Sequence, residues 1–289
     1  MLPYKNARAI VNPILDSVIS STIFDCARKN DDNIHLKFVE TYLKWIKLTS
    51  LNTITGIDQF PILAYSNGTT ESFDKFYIKH QSKRFRWFKG EYLYHQLSPH
   101  LNWKFLDDEV VSKNDAVIIS LPFSDIGNEH PQMQEVLRQC ELLNVPVLID
   151  CAFFGLCGDV HFDFTSPAIT DITFSLSKFL PVAHLRIGMR LTKSNCNDLL
   201  NVNHTNNYVN KLSAAVGLKL IEEFSPDYNY MSYRHLQEKF CAELNLVPSK
   251  SVIFGIDTLN QYPKYNRGYI SNRLCFSSNF HEEKLSNSI

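Results

Sequence analysis

The chain has 289 residues, of which 44% are hydrophobic and 20% charged, the profile of a soluble globular protein able to bury a sizeable core. A formal net charge of −1 excludes bulk attraction to nucleic acid or to an anionic membrane, so neither is expected as a partner. Seven scattered cysteines without a C-x-x-C pair exclude a disulfide framework and a structural zinc site, which points to buried thiols in a reducing, cytoplasmic setting and to no metal.

The N-terminus, MLPYKNARAIVNPILDSVIS, has no charged segment leading into a long apolar core, so no signal peptide is expected. No apolar run approaches the roughly 20 residues of a membrane helix. Residues 1–58 read as mainly helical, with Leu36, Val39, Leu43 and Ile46 at helical spacing inside 34–48. Phe60 to Tyr65 (FPILAY) reads as a strand, followed by Ser66-Asn67-Gly68-Thr69-Thr70-Glu71-Ser72 and a helix over FDKFYIKH. A strand, a glycine turn and a helix start make a cradle for phosphate, because the first N–H groups of a helix are unsatisfied and partially positive. Arg84 to Phe88 (RFRWF) is a second strand, running into the aromatic segment Lys89 to His95.

Asp115 to Leu121 (DAVIISL) is an apolar strand followed by Pro122-Phe123-Ser124-Asp125. Pro131 to Leu143 reads as an amphipathic helix with proline at its start, and Val145 to Asp150 as a buried strand ending in a carboxylate. Strand, helix and strand at this spacing form a βαβ unit, so the sheet is predicted to be parallel and covered by helices. Sites in such sheets form at the carboxyl ends of strands, where Ser124, Asp150 and Lys178 all lie. Ile172 to Phe174 is a further strand and enters Ser175-Leu176-Ser177-Lys178, with Arg186 eight positions on. Hydroxyls and a fork-shaped guanidinium suit a phosphate, and a lysine held there can form a Schiff base with a carbonyl cofactor. Met189 to Thr192 reads as a strand, 210–224 and 232–246 as helices, and 251–256 and 269–276 as short strands. The polar residues after Phe280 are expected to fray.

In this order the segments resemble fold-type I pyridoxal-phosphate (PLP) enzymes of the aminotransferase class I/II family, over about residues 60–276. The resemblance implies an α/β fold, a three-layer αβα large domain with a mostly parallel sheet like that of aspartate aminotransferase. A reduced small α+β domain would come from the C-terminus, with an N-terminal contribution left open. The expected division is 1–58 as an N-terminal helical segment, 59–228 as the cofactor domain and 229–289 as the small domain. Lys178 would be the Schiff-base residue and proton shuttle. Gly68, Thr69, Thr70, Ser175, Ser177 and Arg186 would bind the cofactor phosphate, and Asp150 would hold the proton on the pyridine nitrogen. Tyr92 would stack on the ring, ahead of Phe88 and His95, and Arg273 in Asn272-Arg273-Leu274-Cys275-Phe276 would clamp the substrate carboxylate.

Two positions depart from the family's pattern. Ser124 and Phe153 stand where relatives place an Asn and a Tyr that donate to the cofactor's phenolic oxygen; serine is shorter and phenylalanine cannot donate. The chain is also short for the family. The implied activity is amino transfer between an amino acid and a keto acid, in a homodimer. Elimination, decarboxylation or cyclisation on the same cofactor, or a non-catalytic member acting as partner or regulator, are the alternatives. Tyr42 could reach a partner's cofactor or simply pack in the core, and His184 could line the substrate pocket.

Overall fold

The computed structural model describes residues 3–28, 31–97, 101–269 and 271–280. An extended N-terminal segment leads into helices α1 (Pro13–Ala27) and α2 (Ile34–Ile46) and a short strand β1 (Thr53–Thr55). Next come β2 (Ile62–Ser66), α3 (Thr69–Lys79), β3 (Arg84–Trp87), β4 (Trp103–Phe105), β5 (Asp115–Ser120), α4 (Met133–Leu143) and β6 (Val147–Asp150). β7 (His161–Asp163), β8 (Ile169–Ser175), β9 (Gly188–Thr192), α5 (Leu199–Asn206), α6 (Lys211–Glu223) and α7 (Tyr228–Glu243) follow. The chain closes with β10 (Val247–Pro248), β11 (Phe254–Asp257) and β12 (Asn272–Cys275).

Seven strands form the central sheet in the order β2-β9-β8-β6-β5-β3-β4. Only β9 runs against the others, pairing antiparallel with both β2 and β8. Both faces of the sheet are buried, as covered parallel sheets require. On one face Val117, Ile119, Val147, Ile149, Ile172 and Phe174 join the cluster formed with α1, α2, α4 and α6. On the other, Ala116, Ile118 and Leu148 pack with Phe85, Trp87 and the α3 residues Phe73, Phe76 and Tyr77. The expected mixed α/β architecture with a mostly parallel sheet is the one observed.

A second core joins α7 to the antiparallel sheet β10-β11-β12. The N-terminal segment belongs to it: Ile10 is part of this cluster, and Tyr4 pairs with Cys275 through two backbone hydrogen bonds of 2.9 Å. The N-terminus therefore departs from the helical reading before Asn12, whose side chain caps α1 by accepting from Leu15 N at 2.9 Å. Tyr42 is buried against Phe38, Trp45 and Phe174, so of its two readings core packing holds. Pro131 lies outside α4, which starts at Met133, and α7 begins earlier than its apolar spacing indicated. Strands β1, β4 and β7 and helix α5 carry too little periodicity to be read from sequence. The fraying expected after Phe280 concerns residues outside those described.

The sheet edge is pinned by a buried ion pair. Arg86 and Asp115 are both fully buried, with Arg86 Nη1 donating to Asp115 Oδ2 at 2.7 Å and Arg84 Nε to Oδ1 at 2.8 Å. Arg86 also donates to the carbonyls of Lys104, Glu109 and Val110, so one guanidinium holds the whole 104–115 connection. Removing the carboxylate leaves a buried charge uncompensated. Asp115→Ala is expected to lower stability by about 3–5 kcal/mol in urea unfolding.

Candidate active site

The β2–α3 junction brings backbone donors and a guanidinium together. Gly68 sits at the N-cap of α3 with φ 75° and ψ −180°, a region open essentially only to glycine. Its bare Cα lies under Arg186: a Cβ there would come 2.5 Å from Arg186 Nη2. The same nitrogen donates to Thr70 Oγ1 at 2.9 Å and to the Asn67 carbonyl at 3.2 Å. Arg186 itself is held in the left-handed region at φ 56°, with its carbonyl accepting from Tyr65 OH at 2.9 Å. Ser175 Oγ lies 2.8 Å from Ser177 Oγ and receives the Ser177 N–H at 3.1 Å. A guanidinium resting on a glycine at a helix N-terminus has the donor set and the charge for a phosphate.

The next strand ends carry carboxylates. Asp150 is the last residue of β6 and is only 5% exposed; its side chain accepts one hydrogen bond, from Ala152 N at 3.1 Å. Burial, and next the like charge of Glu91, push its carboxyl up to about 8. Glu91 is also buried and accepts from Ser120 N at 3.0 Å, Ser120 Oγ at 2.5 Å and Tyr92 N at 3.0 Å. Glu91 carried no motif; a lone acidic residue inside an aromatic segment was the only signal for it.

Lys178 lies just beyond β8, with its amine lowered from the ordinary lysine range by burial. Lys178 Nζ donates to the Ala7 carbonyl at 3.0 Å. Arg273, on β12, donates to the carbonyls of Ser124 and, at 2.9 Å, Lys5. Burial, and then the charge of Arg267, lower the Arg273 guanidinium to about 9. The N-terminal segment thus supplies a carbonyl to each of the two cationic groups on which the sequence places substrate chemistry. Beside Lys178 it borders a cavity of about 550 Å³ lined in part by Tyr4, Arg8, His184 and Ser277.

The remaining candidates separate. Ser124 is buried, and its carbonyl and Oγ face Arg267 at 3.3 and 3.5 Å. Phe153 lies in the second core, edge-to-face on Phe254, over which the Arg273 guanidinium also lies. Among the three ring candidates, Phe88 stacks on His130 in the interior and His95 is buried against Tyr77. Tyr92 is 41% exposed, the one of the three that is not buried, and stacks on Tyr94. Arg267, which neighbours Asp125 at 3.6 Å, was missed because it lies in a loop without periodicity. Among the described residues no group of three or more His, Cys, Asp or Glu is placed to hold a metal ion, and no helix is long and apolar enough to cross a membrane.

No protein-family model and no curated protein sequence matches the chain. Solved structures do match. The PLP-bound C-S lyase from Staphylococcus hominis gives a TM-score of 0.68 at 12% identity, covering 96% of this chain and 86% of that one. An aminotransferase from Staphylococcus aureus gives 0.66 at 12% identity, covering 96% and 89%. The histidinol-phosphate aminotransferase from Clostridium acetobutylicum gives 0.60 at 14% identity, covering 98% and 99%. The chain shares the fold of these structures, the aminotransferase-like fold of fold type I.

The buried Asp150 carboxyl has a consequence for stability without any ligand. Its folded pKa is raised to about 8 from the usual 3.8, so its contribution to stability is full only below about 3.8 and is lost progressively as pH rises from there through about 8. Asp150→Asn removes that loss. In cofactor-free protein the variant's stability relative to the wild type should rise between pH 5 and about pH 8, by at most about 1.4 kcal/mol per pH unit, and level off above, read by thermal unfolding.

Proposed function

We propose that the chain is a PLP-dependent enzyme acting on an amino acid, and that its reaction is amino transfer to a keto acid. The observation that carries this reading is the contact of Arg186 with Gly68 and Thr70, at the same end of the sheet as Asp150 and Lys178. A cradle that a Cβ would fill, with donors on two sides, fits a phosphate ester. PLP, once bound, supplies an electron sink for bonds made or broken at the substrate α-carbon.

The chain's own residues do the rest. The N–H groups of Thr69 and Thr70, the hydroxyls of Thr70, Ser175 and Ser177 and the guanidinium of Arg186 bind the phosphate. Asp150 holds a proton at the ring nitrogen, and Tyr92 covers the ring. Lys178 would hold the cofactor through its amine and would move a proton at the α-carbon; burial keeps that amine less basic than an exposed one. Arg273 binds the substrate carboxylate in place of the Lys5 carbonyl. A homodimer in the cytoplasm is part of the same proposal.

A second reading, elimination or another PLP reaction on an amino acid, is favoured by one observation. Phe153 faces Phe254 and cannot donate, and Ser124 Oγ is turned toward Arg267, so the usual donors to the cofactor's phenolic oxygen are replaced.

Added PLP should turn the protein yellow, and borohydride reduction should fix it to the Lys178 peptide by mass spectrometry. Lys178→Ala should fix none. A wild-type chain that takes up no PLP would sink the proposal. Gly68→Ala should weaken PLP binding about tenfold or more, because its Cβ displaces the Arg186 fork. Amino acids should then convert bound cofactor to its amine form if the reaction is transfer; release of keto acid and ammonia without that conversion would select elimination.

A further inference from the structure

Lys178 and Arg273 both hold on to one short stretch of chain. The segment before α1 is pinned at its two ends. At the start, Tyr4 exchanges two backbone hydrogen bonds of 2.9 Å with Cys275, and the Pro3 carbonyl accepts from Tyr265 OH at 3.1 Å. At the other end Ile10 is fully buried in the second core, and Asn12 Nδ2 donates to Tyr233 OH at 2.6 Å. Between these anchors, residues 5–9 make no backbone-to-backbone hydrogen bond with any other described residue. Lys5, Asn6 and Arg8 are exposed, and Ala7 and Ala9 are too small to fix the stretch by packing. Two carbonyls tie it to the interior: Ala7 on Lys178 Nζ at 3.0 Å, and Lys5 on Arg273 Nη2 at 2.9 Å.

These ties leave both cations incompletely satisfied. Arg273 is 1% exposed; its Nη1 donates to the Ser124 carbonyl and its Nη2 to that of Lys5, while its Nε has no hydrogen-bond partner. A buried donor left unpaired costs free energy that a better partner recovers. A carboxylate accepts from two guanidinium nitrogens at once and binds more strongly than a carbonyl dipole. The Lys178 amine, a triple donor, is half-buried with the Ala7 carbonyl as its acceptor among the described residues. Ala7, Arg8 and Ala9 also border the cavity of about 550 Å³, so the stretch has room beside it into which to move. Lys5 and Ala7 are two residues apart, with Cα atoms at most about 7 Å from each other, so one carbonyl does not travel far without the other.

We propose that residues 5–9 are an autoinhibitory strap: in the free chain the Ala7 and Lys5 carbonyls occupy the Lys178 amine and the Arg273 guanidinium, and both groups come free together when the strap lifts. Tyr4 and Tyr265 hold it closed from the start of the segment, and the anchors at Ile10 and Asn12 keep it attached when it opens. A ligand engaging Lys178 thereby frees Arg273, and an anion seated on Arg273 frees Lys178, because coupling through one shared element is reciprocal. The covering itself is independent of the PLP reading; its displacement by PLP rests on that reading.

The first test needs no cofactor. Reductive methylation with formaldehyde and cyanoborohydride reads the Lys178 amine by mass spectrometry of chymotryptic peptides, with the exposed Lys44 as internal standard. Tyr4→Pro loses the N–H given to Cys275, and Tyr265→Phe loses the hydroxyl given to the Pro3 carbonyl. Each should speed labelling of Lys178 relative to Lys44 by about fivefold, the factor that one ordinary hydrogen bond represents when labelling proceeds from the open state. Tyr265→Phe, the milder change, keeps the test in force if Tyr4→Pro does not fold. In the wild type, adding PLP should speed trypsin cleavage after Lys5 and Arg8 to a similar degree. A Lys178 rate unmoved in the folded variants overturns the inference, as does PLP binding with cleavage unchanged. A wild-type chain that takes up no PLP overturns the proposed function alone, and the labelling rates then decide the strap.

Discussion

The site hangs on a guanidinium lying against a glycine. Arg186 and Gly68 are far apart in the chain, and they meet because β9 returns antiparallel between β2 and β8 and delivers its start beside the end of β2. Ser66 and Ser175 both pair with Gly188, so the glycine loop, the Ser175–Ser177 hydroxyls and Arg186 converge on one spot. Any side chain at Gly68 would occupy the space of the fork, and any other backbone at Arg186 would aim it elsewhere. The convergence follows from strand order more than from any single hydrogen bond.

Around that contact the protein gathers charges that burial makes costly. Arg273 and Lys178 are both less basic than they would be in water, and Asp125, with neither oxygen hydrogen-bonded, is pushed up to about 6. Charges without full partners in an interior cost stability unless something neutralises them. In the free chain part of that role falls to main-chain carbonyls of the N-terminal segment, at Lys5 and Ala7. This gives the segment a reason to be stitched to β12 by Tyr4 and to Tyr265 OH through the Pro3 carbonyl at 3.1 Å. An anionic ligand with an amine-reactive carbonyl offers the same cations a stronger counter-charge than a carbonyl dipole.

The two departures from the family's pattern have different physical outcomes. Phe153 has been absorbed into the apolar core under Arg273, where a tyrosine hydroxyl would need a partner. Ser124 has stayed polar, but its carbonyl serves the two arginines and its hydroxyl faces one of them. At these two positions the chain thus has an apolar ring contact and an arginine-facing hydroxyl where the resemblance would place hydrogen-bond donors.

The sequence by itself determined the alternation of buried strands and helices from β2 to β9, apart from the short strands β4 and β7, since apolar runs bounded by turn residues report burial directly. It also determined the glycine turn, the serine-flanked lysine and the carboxylate ending β6, because these are local patterns of a few residues. Glu91 beside Asp150, the Lys5 and Ala7 carbonyls on Arg273 and Lys178, and the exposure that separates Tyr92 from Phe88 and His95 were decided only by the tertiary structure. Each depends on strand order and on what a neighbouring segment covers, and a linear pattern carries neither. Arg186 lies between these cases: its type and spacing were legible, but its seat on Gly68 exists only once β9 has paired between β2 and β8.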